Sequence, residues 1–421
     1  MTNMTVQAAE TVERCSFDVE RVRRDFPILD QRIRDRPLVY LDSAASAQKP
    51  QVVLDAIAEC YEEYYANVHR GVHRLSVRST NAYEASREAA QSFLNAPKLE
   101  EVVFVRGTTE AVNLVAATYG RQTLQAGDEV LITELEHHSN IVPWQVLCRE
   151  KGAHLRVAPI DDRGEVKLDE YQSLLGDRTR IVAFAHISNS LGTINPVRQM
   201  TELAHEHGAV VFVDGAQGAP HAAIDVQALG CDFYAFSAHK AFGPTGIGVL
   251  WGRLRLLDAM PPYQTGGEMI RTVSFEESEW NVVPQKFEAG TPNIVGAIGM
   301  AAALRYLQAL DREGWQAHEA RLLEEATRRL ADRPGIRFLG TARQKSALVS
   351  FVMEGVHAHD VGTILDEEGV AVRTGHHCAQ PVMKHFGVAA SVRASMAVYN
   401  TLDDVDALIS GLDRVDEVFG R

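Results

Sequence analysis

Cysteine is scarce in this chain: five residues in 421, at Cys15, Cys60, Cys148, Cys231 and Cys378. They are odd in number, widely scattered and never form a Cys-x-x-Cys pair. That excludes a disulfide framework or a zinc ribbon as the organising principle, and makes a reducing cytoplasm the expected compartment. Positive charge is also short. Lys and Arg total 42 against 56 Asp and Glu, a formal net charge of −14. Phosphate backbones and anionic membranes need a basic face, so neither a nucleic acid nor a membrane is an expected partner. A local basic pocket for one small anion remains compatible with that balance. No stretch approaches the roughly 20 apolar residues of a membrane span. The first twenty residues carry Glu10, Glu13, Arg14, Asp18 and Glu20 and no apolar segment, so no signal peptide is expected. Internal repeats and low-complexity tracts are absent as well.

What is present is ordinary for a soluble globular enzyme: 46% hydrophobic and 23% charged residues. A chain of this length predicts two domains, or one large and one small. Residues 1–16 are polar and are expected to fray, with Cys15 incidental. From residue 101 onward short apolar runs alternate with helical patterns. The runs are "EVVFV" (101–105), "EVLIT" (129–133), "HLRVAPI" (154–160), "RIVAFAHI" (180–187) and "AVVFVDG" (209–215). Near-continuous apolar strands between helices predict a mostly parallel sheet covered on both faces, an α/β fold. Residues 231–252 read as two more strands joined by a glycine-rich turn, and such late strands can run antiparallel. Residues 261–290 form an irregular, aromatic-bearing excursion. A helix is expected from about Asn293 to Leu310, followed by a compact α/β unit.

Ligands of open α/β sheets bind beyond the carboxyl ends of the strands, and several polar residues are expected there. "RGTTE" places Thr108 and Thr109 at a strand-to-helix turn, where amides and the helix dipole favour phosphate; Thr108 is equally read as a helix cap. "VDGAQ" puts Asp214, and "SAHK" puts Ser237, His239 and Lys240, directly after strands. Alone, Asp214 is an ordinary turn residue and Lys240 a solvated lysine. Together they have a specific logic. A buried lysine with a lowered pKa forms a Schiff base. A carboxylate at a pyridinium nitrogen keeps that ring an electron sink. With phosphate donors nearby, the set describes a site for pyridoxal 5'-phosphate.

In order along the chain, "ELEHHSNIVPW", "VDGAQ", "SAHK", "FEAGTPN" and "RTGHHCAQP" resemble the group II cysteine desulfurases of the SUF iron–sulfur assembly system. The resemblance runs from about Asp25 to the C-terminus. It implies the fold type I pyridoxal-phosphate architecture: a large domain with a mostly parallel seven-stranded sheet (31–292) and a small α/β domain from both chain ends (1–30 and 293–421). It also implies a homodimer. By the same resemblance Lys240 is the Schiff-base lysine, Asp214 partners the ring nitrogen, Gln217 the ring hydroxyl, and His137 stacks on the ring. Thr108, Thr109, Ser237 and His239 belong to the phosphate end, and Thr291 reaches in from the other subunit to make a composite site. Asn189 lies near the ring oxygen and substrate, Arg393 clamps the substrate carboxylate, and Arg373 accompanies it in the cysteine loop. Ser190 and Val392 occupy variable positions inside the motifs.

The activity so implied converts L-cysteine to L-alanine. Lys240 moves the Cα proton and Cys378, as thiolate, takes the sulfur as a persulfide. A small acceptor protein of the SUF system then receives it. "RTGHHCAQP" has no glycine-serine extension, so Cys378 is expected to have little reach and the acceptor's cysteine to enter the pocket. Two alternatives stay open. One is another fold type I enzyme: an aminotransferase, a kynureninase-like hydrolase or a selenocysteine lyase. The cysteine in "GHHCAQP" favours sulfur transfer over an aminotransferase. The other is a non-catalytic metal-binding scaffold using His376, His377 and Cys378. Adjacent residues of an extended segment point to opposite faces, which is poor spacing for zinc.

Overall fold

The computed structural model describes residues 17–421; the expectations for residues 1–16, Cys15 included, lie outside them. Seven strands form the large sheet: β1 Val102–Val105, β2 Glu129–Thr133, β3 His154–Ala158, β4 Thr179–Ala185, β5 Val210–Asp214, β6 Phe233–Ser237 and β7 Gly248–Gly252, in the order β1-β7-β6-β5-β4-β2-β3. β2, β3, β4, β5 and β6 pair in parallel. β7 runs antiparallel to both β6 and β1, so β1 shares the sense of β6. The carboxyl ends of β1 to β6 therefore meet on one side, where the sequence places its polar motifs.

The apolar runs are continuous because both faces of the sheet are covered. Along β1, Val102 and Phe104 enter one core cluster while Val103 and Val105 enter another, as the two-residue period of a strand requires. The edge strand β3 is the exception: His154 and Arg156 are exposed, and Arg156 pairs with Glu129 of β2 at 2.9 Å. Helix α1 (Arg74–Leu94) lies on one face with Tyr83, Ala90 and Leu94 buried. Helices α2 (Thr108–Val115) and α3 (Val142–Lys151) lie on the other.

Helix α4, Ile294–Ala309, matches the expected helix. Asn293 caps it by accepting from the Gly296 amide at 2.9 Å. It is apolar on nearly every face and correspondingly buried. It packs against α1 and the helix Gln51–Glu59 in the large-sheet core. A domain division at 292/293 would separate α4 from the core it completes, so by packing this helix sits with the large sheet.

The C-terminal unit is a four-stranded antiparallel sheet of β8 (Ile336–Leu339), β9 (Leu348–Met353), β10 (Arg373–Gly375) and β11 (Ser391–Ser395), in the order β8-β9-β11-β10. Helices α5 (Ala358–Glu367) and α6 (Leu402–Phe419) share its core. Val39–Tyr40 pairs in parallel with Val370–Ala371, and Asp42 bridges to Ser395. Residues 39–42, grouped by the sequence with the large domain, are thus hydrogen-bonded to the small one. Backbone pairing over more than 300 positions leaves no local trace. The excursion at 261–290 contains a two-stranded hairpin, Ile270–Val273 with Ser278–Trp280, whose turn exposes Phe275. Among the described residues no single helix is long and apolar enough to cross a membrane.

Candidate active site

The strand ends converge on one cavity. Thr108, Thr109, His137, Asn189, Asp214, Gln217, Ser237, His239, Lys240, Arg373, Cys378 and Arg393 all line it. Of the predicted site residues only Thr291 does not. It lies exposed beside Gly290, in a separate groove with Arg106, Glu110 and Gly246. None of residues 261–290 lines the cavity of its own chain.

Each wall has a local cause. At the end of β1, Gly107 adopts φ +151, and a Cβ there would lie 2.9 Å from Ser237 Oγ. Only glycine lets the turn close on β6. The Thr108 amide then donates to Ser237 Oγ at 2.9 Å, and the two hydroxyls lie 3.0 Å apart at the N-terminus of α2. At the end of β6, Lys240 completes a tight turn, Ala238–Lys240. The turn is followed by Phe242 at φ +62, a conformation costing of order 1–3 kcal/mol for a non-glycine residue. Phe242 offsets that cost by full burial, edge-on to Phe26 with centroids 5.5 Å apart.

Burial dominates the electrostatics. It lowers the Lys240 pKa to about 8, with Asp214 and Cys378 opposing and Arg393 and Arg373 reinforcing the shift. Burial raises the Asp214 pKa, against the Ala216 amide, which donates to Oδ1 at 2.9 Å, and against Lys240. His137 falls to about 3 through burial and then the nearby cations, Lys240 first, so its imidazole is neutral. Its Nδ1 accepts from the Ser139 amide at 3.1 Å. His239 falls to about 4 for the same reasons. Gln217 donates to the Ala44 carbonyl at 2.7 Å.

Arg393 is 2% exposed. Its guanidinium donates to the Asn189 carbonyl at 2.8 Å and to Asp42 Oδ1 at 2.9 Å, while Nε has no partner. Arg373 stands directly opposite it in the β10–β11 register. Both arginines line the cavity, and like charges on directly opposed strand positions repel, so this corner favours an anion such as a carboxylate. An acidic chain thus carries the local basic pocket that its composition left open.

Cys378 is half-buried in a constrained loop. His377 and Cys378 both have φ +54, left-handed for side-chain-bearing residues. The loop is tied on every side. Asn189 Nδ2 donates to the His377 carbonyl at 2.6 Å, the His138 amide to the Cys378 carbonyl at 2.8 Å, and the Gln380 amide to His138 Nε2 at 3.1 Å. His377 is buried against Ser391 Oγ at 2.8 Å, and burial lowers its pKa to about 3. His376, by contrast, is exposed. Among the described residues no group of three or more His, Cys, Asp or Glu is placed to hold a metal ion.

Two contributors escaped the sequence reading. Asp42, Arg393's partner, follows a strand of only two residues. Glu136 is a fully buried carboxyl one position before His137. Nothing local in "EHH" distinguishes this acid from a solvated one; its burial is set by the strands packed around it.

This arrangement, a mostly parallel seven-stranded sheet with a half-buried lysine and a buried carboxylate at its strand ends, defines a fold type I pyridoxal-phosphate enzyme. The class-V aminotransferase family profile matches residues 39–408. A cysteine desulfurase of Klebsiella pneumoniae is 52% identical over 406 residues, 96% of this chain and 100% of that protein. One of Synechococcus elongatus is 53% identical over 411 residues, 98% of this chain; the chain spans 66% of that protein's length. The crystal structure of an Escherichia coli cysteine desulfurase superposes with a TM-score of 0.89 at 43% identity, covering 96% of this chain and 99% of the other. The chain belongs to the class-V aminotransferase family and, within it, to the cysteine desulfurases.

Proposed function

We propose that this chain takes sulfur from L-cysteine onto Cys378, releases L-alanine, and passes the persulfide to a small acceptor protein of a SUF-type iron–sulfur assembly system. The observation that carries the reading is that one cavity brings a half-buried Cys378 together with Lys240, Asp214 and Arg393.

The residues fit pyridoxal 5'-phosphate. Thr108, Thr109, Ser237 and His239 offer donors at a helix N-terminus for its phosphate. His137 offers a neutral aromatic face, Gln217 an amide, Asp214 a carboxylate for a ring nitrogen, and Lys240 an amine for attachment. When bound, the cofactor supplies an electron sink for charge developing at the substrate α-carbon.

The chain's own residues do the rest. Arg393, which lines the cavity, holds the substrate carboxylate, and Arg373 adds charge beside it. Lys240, at about 8, is partly the free amine near neutral pH and moves the proton at the substrate α-carbon. Cys378 Sγ attacks the substrate sulfur; an S–S bond forms as the C–S bond breaks. Thiol and L-cysteine in, persulfide and L-alanine out, balance without an external oxidant. The bonded Cys378 loop supports an acceptor cysteine that enters the pocket, in a reducing cytoplasm. A second copy of the chain completes the site with Thr291. The exposed side chains of Tyr61, Tyr65, Val72, Leu75 and Val77 support that homodimer.

The test is alanine and sulfide production from L-cysteine by wild type and Cys378→Ala, with L-selenocysteine in parallel. Loss on cysteine with retained pyridoxal 5'-phosphate binding is expected. Selenium leaves more readily, so turnover of selenocysteine is expected to survive. A variant that still makes alanine from cysteine at the wild-type rate would remove Cys378 from the reaction.

A further inference from the structure

Directly under the His137 turn lies a polar cluster that the reaction does not use. Glu136, Asn140 and Trp144 are each 0% exposed. The Ala185 amide donates to Glu136 Oε1 at 3.1 Å, and Thr133 Oγ1 bonds the same oxygen. Asn140 Nδ2 donates to Oε2 at 2.6 Å, and Trp144 Nε1 donates to Asn140 Oδ1 at 2.9 Å. Thr133 ends β2, and Asn140 closes the turn that His137 opens. Ala185 ends β4 and lines the cavity, and the next amide, His186, donates to the Asp214 carbonyl at 2.8 Å. One carboxyl therefore joins the His137 turn to the strands carrying the rest of the site.

The donor set dictates what can stand at position 136. An indole N–H only donates, so Asn140 must turn its oxygen to Trp144 and its NH2 to Glu136. A backbone N–H only donates, so Oε1 must accept. Both terminal atoms at 136 must therefore be acceptors. A carboxyl group meets this in either protonation state, and a carboxamide cannot, because its NH2 would face a second donor. Burial raises the carboxyl pKa to about 8, and this acceptor requirement holds on either side of that value.

We propose that Glu136 is a positioning residue. By accepting at both carboxyl oxygens it fixes the His137 ring relative to Ala185 and Asp214. The proposal rests on His137 facing the bound cofactor. It predicts that the nominally conservative Glu136→Gln is damaging, and that the acid and the amide can be exchanged. In the double variant, Glu136→Gln with Asn140→Asp, the carboxamide oxygen at position 136 takes the Ala185 amide. The carboxamide NH2 donates to the carboxylate now at position 140, whose other oxygen takes the Trp144 indole.

The experiment compares wild type, Glu136→Gln and the double variant. It reads kcat and KM for L-cysteine, pyridoxal 5'-phosphate affinity by equilibrium dialysis, melting temperature, and the Trp144 indole N–H resonance of the cofactor-free protein. A misplacement of about 1 Å can cost roughly a hundredfold in rate, and a smaller shift proportionately less. Glu136→Gln is expected to lower kcat about tenfold or more, with little change in KM, to weaken cofactor binding, and to shift the indole resonance. The double variant is expected to recover kcat, cofactor affinity and indole shift together. Wild-type kcat and indole shift in Glu136→Gln would overturn the acceptor requirement. A double variant that recovers its melting temperature but neither kcat nor cofactor affinity would reduce the cluster to packing. If Glu136→Gln does not fold, the double variant alone decides: folded and active supports the proposal, insoluble overturns it. A wild type that binds cofactor but makes no alanine would refute the activity and leave the affinity and resonance comparison to judge Glu136.

Discussion

The side-chain amide of Asn189 lies 2.6 Å from the carbonyl oxygen of His377, which joins the segment after β4 to the loop carrying Cys378, 188 residues away along the chain. Removing a buried hydrogen-bond partner costs about 1–3 kcal/mol. Asn189→Ala is therefore expected to free the loop locally. Alkylation of Cys378 by iodoacetamide should speed up about fivefold or more, and desulfuration should slow. An unchanged alkylation rate would mean that the loop is held without Asn189.

The Arg393 guanidinium donates in two directions, to the Asn189 carbonyl and to Asp42, so geometry matters there as well as charge. Arg393→Lys keeps the charge and loses the fork. The expected outcome is a KM for L-cysteine raised about tenfold or more, with a smaller change in kcat. Arg393→Ala leaves Asp42 unpaired; breaking a buried pair costs about 3–5 kcal/mol, and Asp42, with 22% of its side chain exposed, places this case at the low end. Steady-state kinetics and urea unfolding check the two effects separately. A wild-type KM in Arg393→Lys would remove Arg393 as the carboxylate clamp.

Acid should destabilise the cofactor-free protein early. Burial lowers His137 and His377 to about 3, and His186 and His239 to about 4, from the ordinary 6.5. Between those values the unfolded chain binds protons that the native state refuses, so stability falls as pH drops from about 6.5 toward 4. Glu136, raised to about 8, acts the opposite way from 8 down to its ordinary 4.5 and offsets part of the slope. Melting temperature measured from pH 7.5 to 4.5 should decline steadily below 6.5, and His186→Gln should flatten the decline. A profile that does not fall across this range would contradict buried neutral histidines.

Much of the scaffold was legible locally. The runs around 102–105, 129–133 and 210–214 are strands because a sheet covered on both faces needs uninterrupted apolar side chains. Asp214, Ser237 and Lys240 announced themselves as polar residues at the ends of such runs. Asp42 did not, because its strand is two residues long and its register is set by Val370–Ala371. Nor did Glu136, whose significance is its burial. The α4 helix was predicted within a residue at each end, yet its place in the large core depends on α1 and could not be read from its own apolar composition.

By itself the sequence determined which residue types stand at the strand ends and that the cysteine loop is short, four residues between Gly375 and Gln380, because alternation, turns and spacing are local properties. Only the tertiary structure decided which groups are buried and what each one faces. Arg393 meets Asp42 across 351 positions, and Lys240 lies in a cavity that lowers its pKa to about 8. Desolvation and hydrogen-bond pairing depend on everything that packs around a group, and most of that comes from distant parts of the chain.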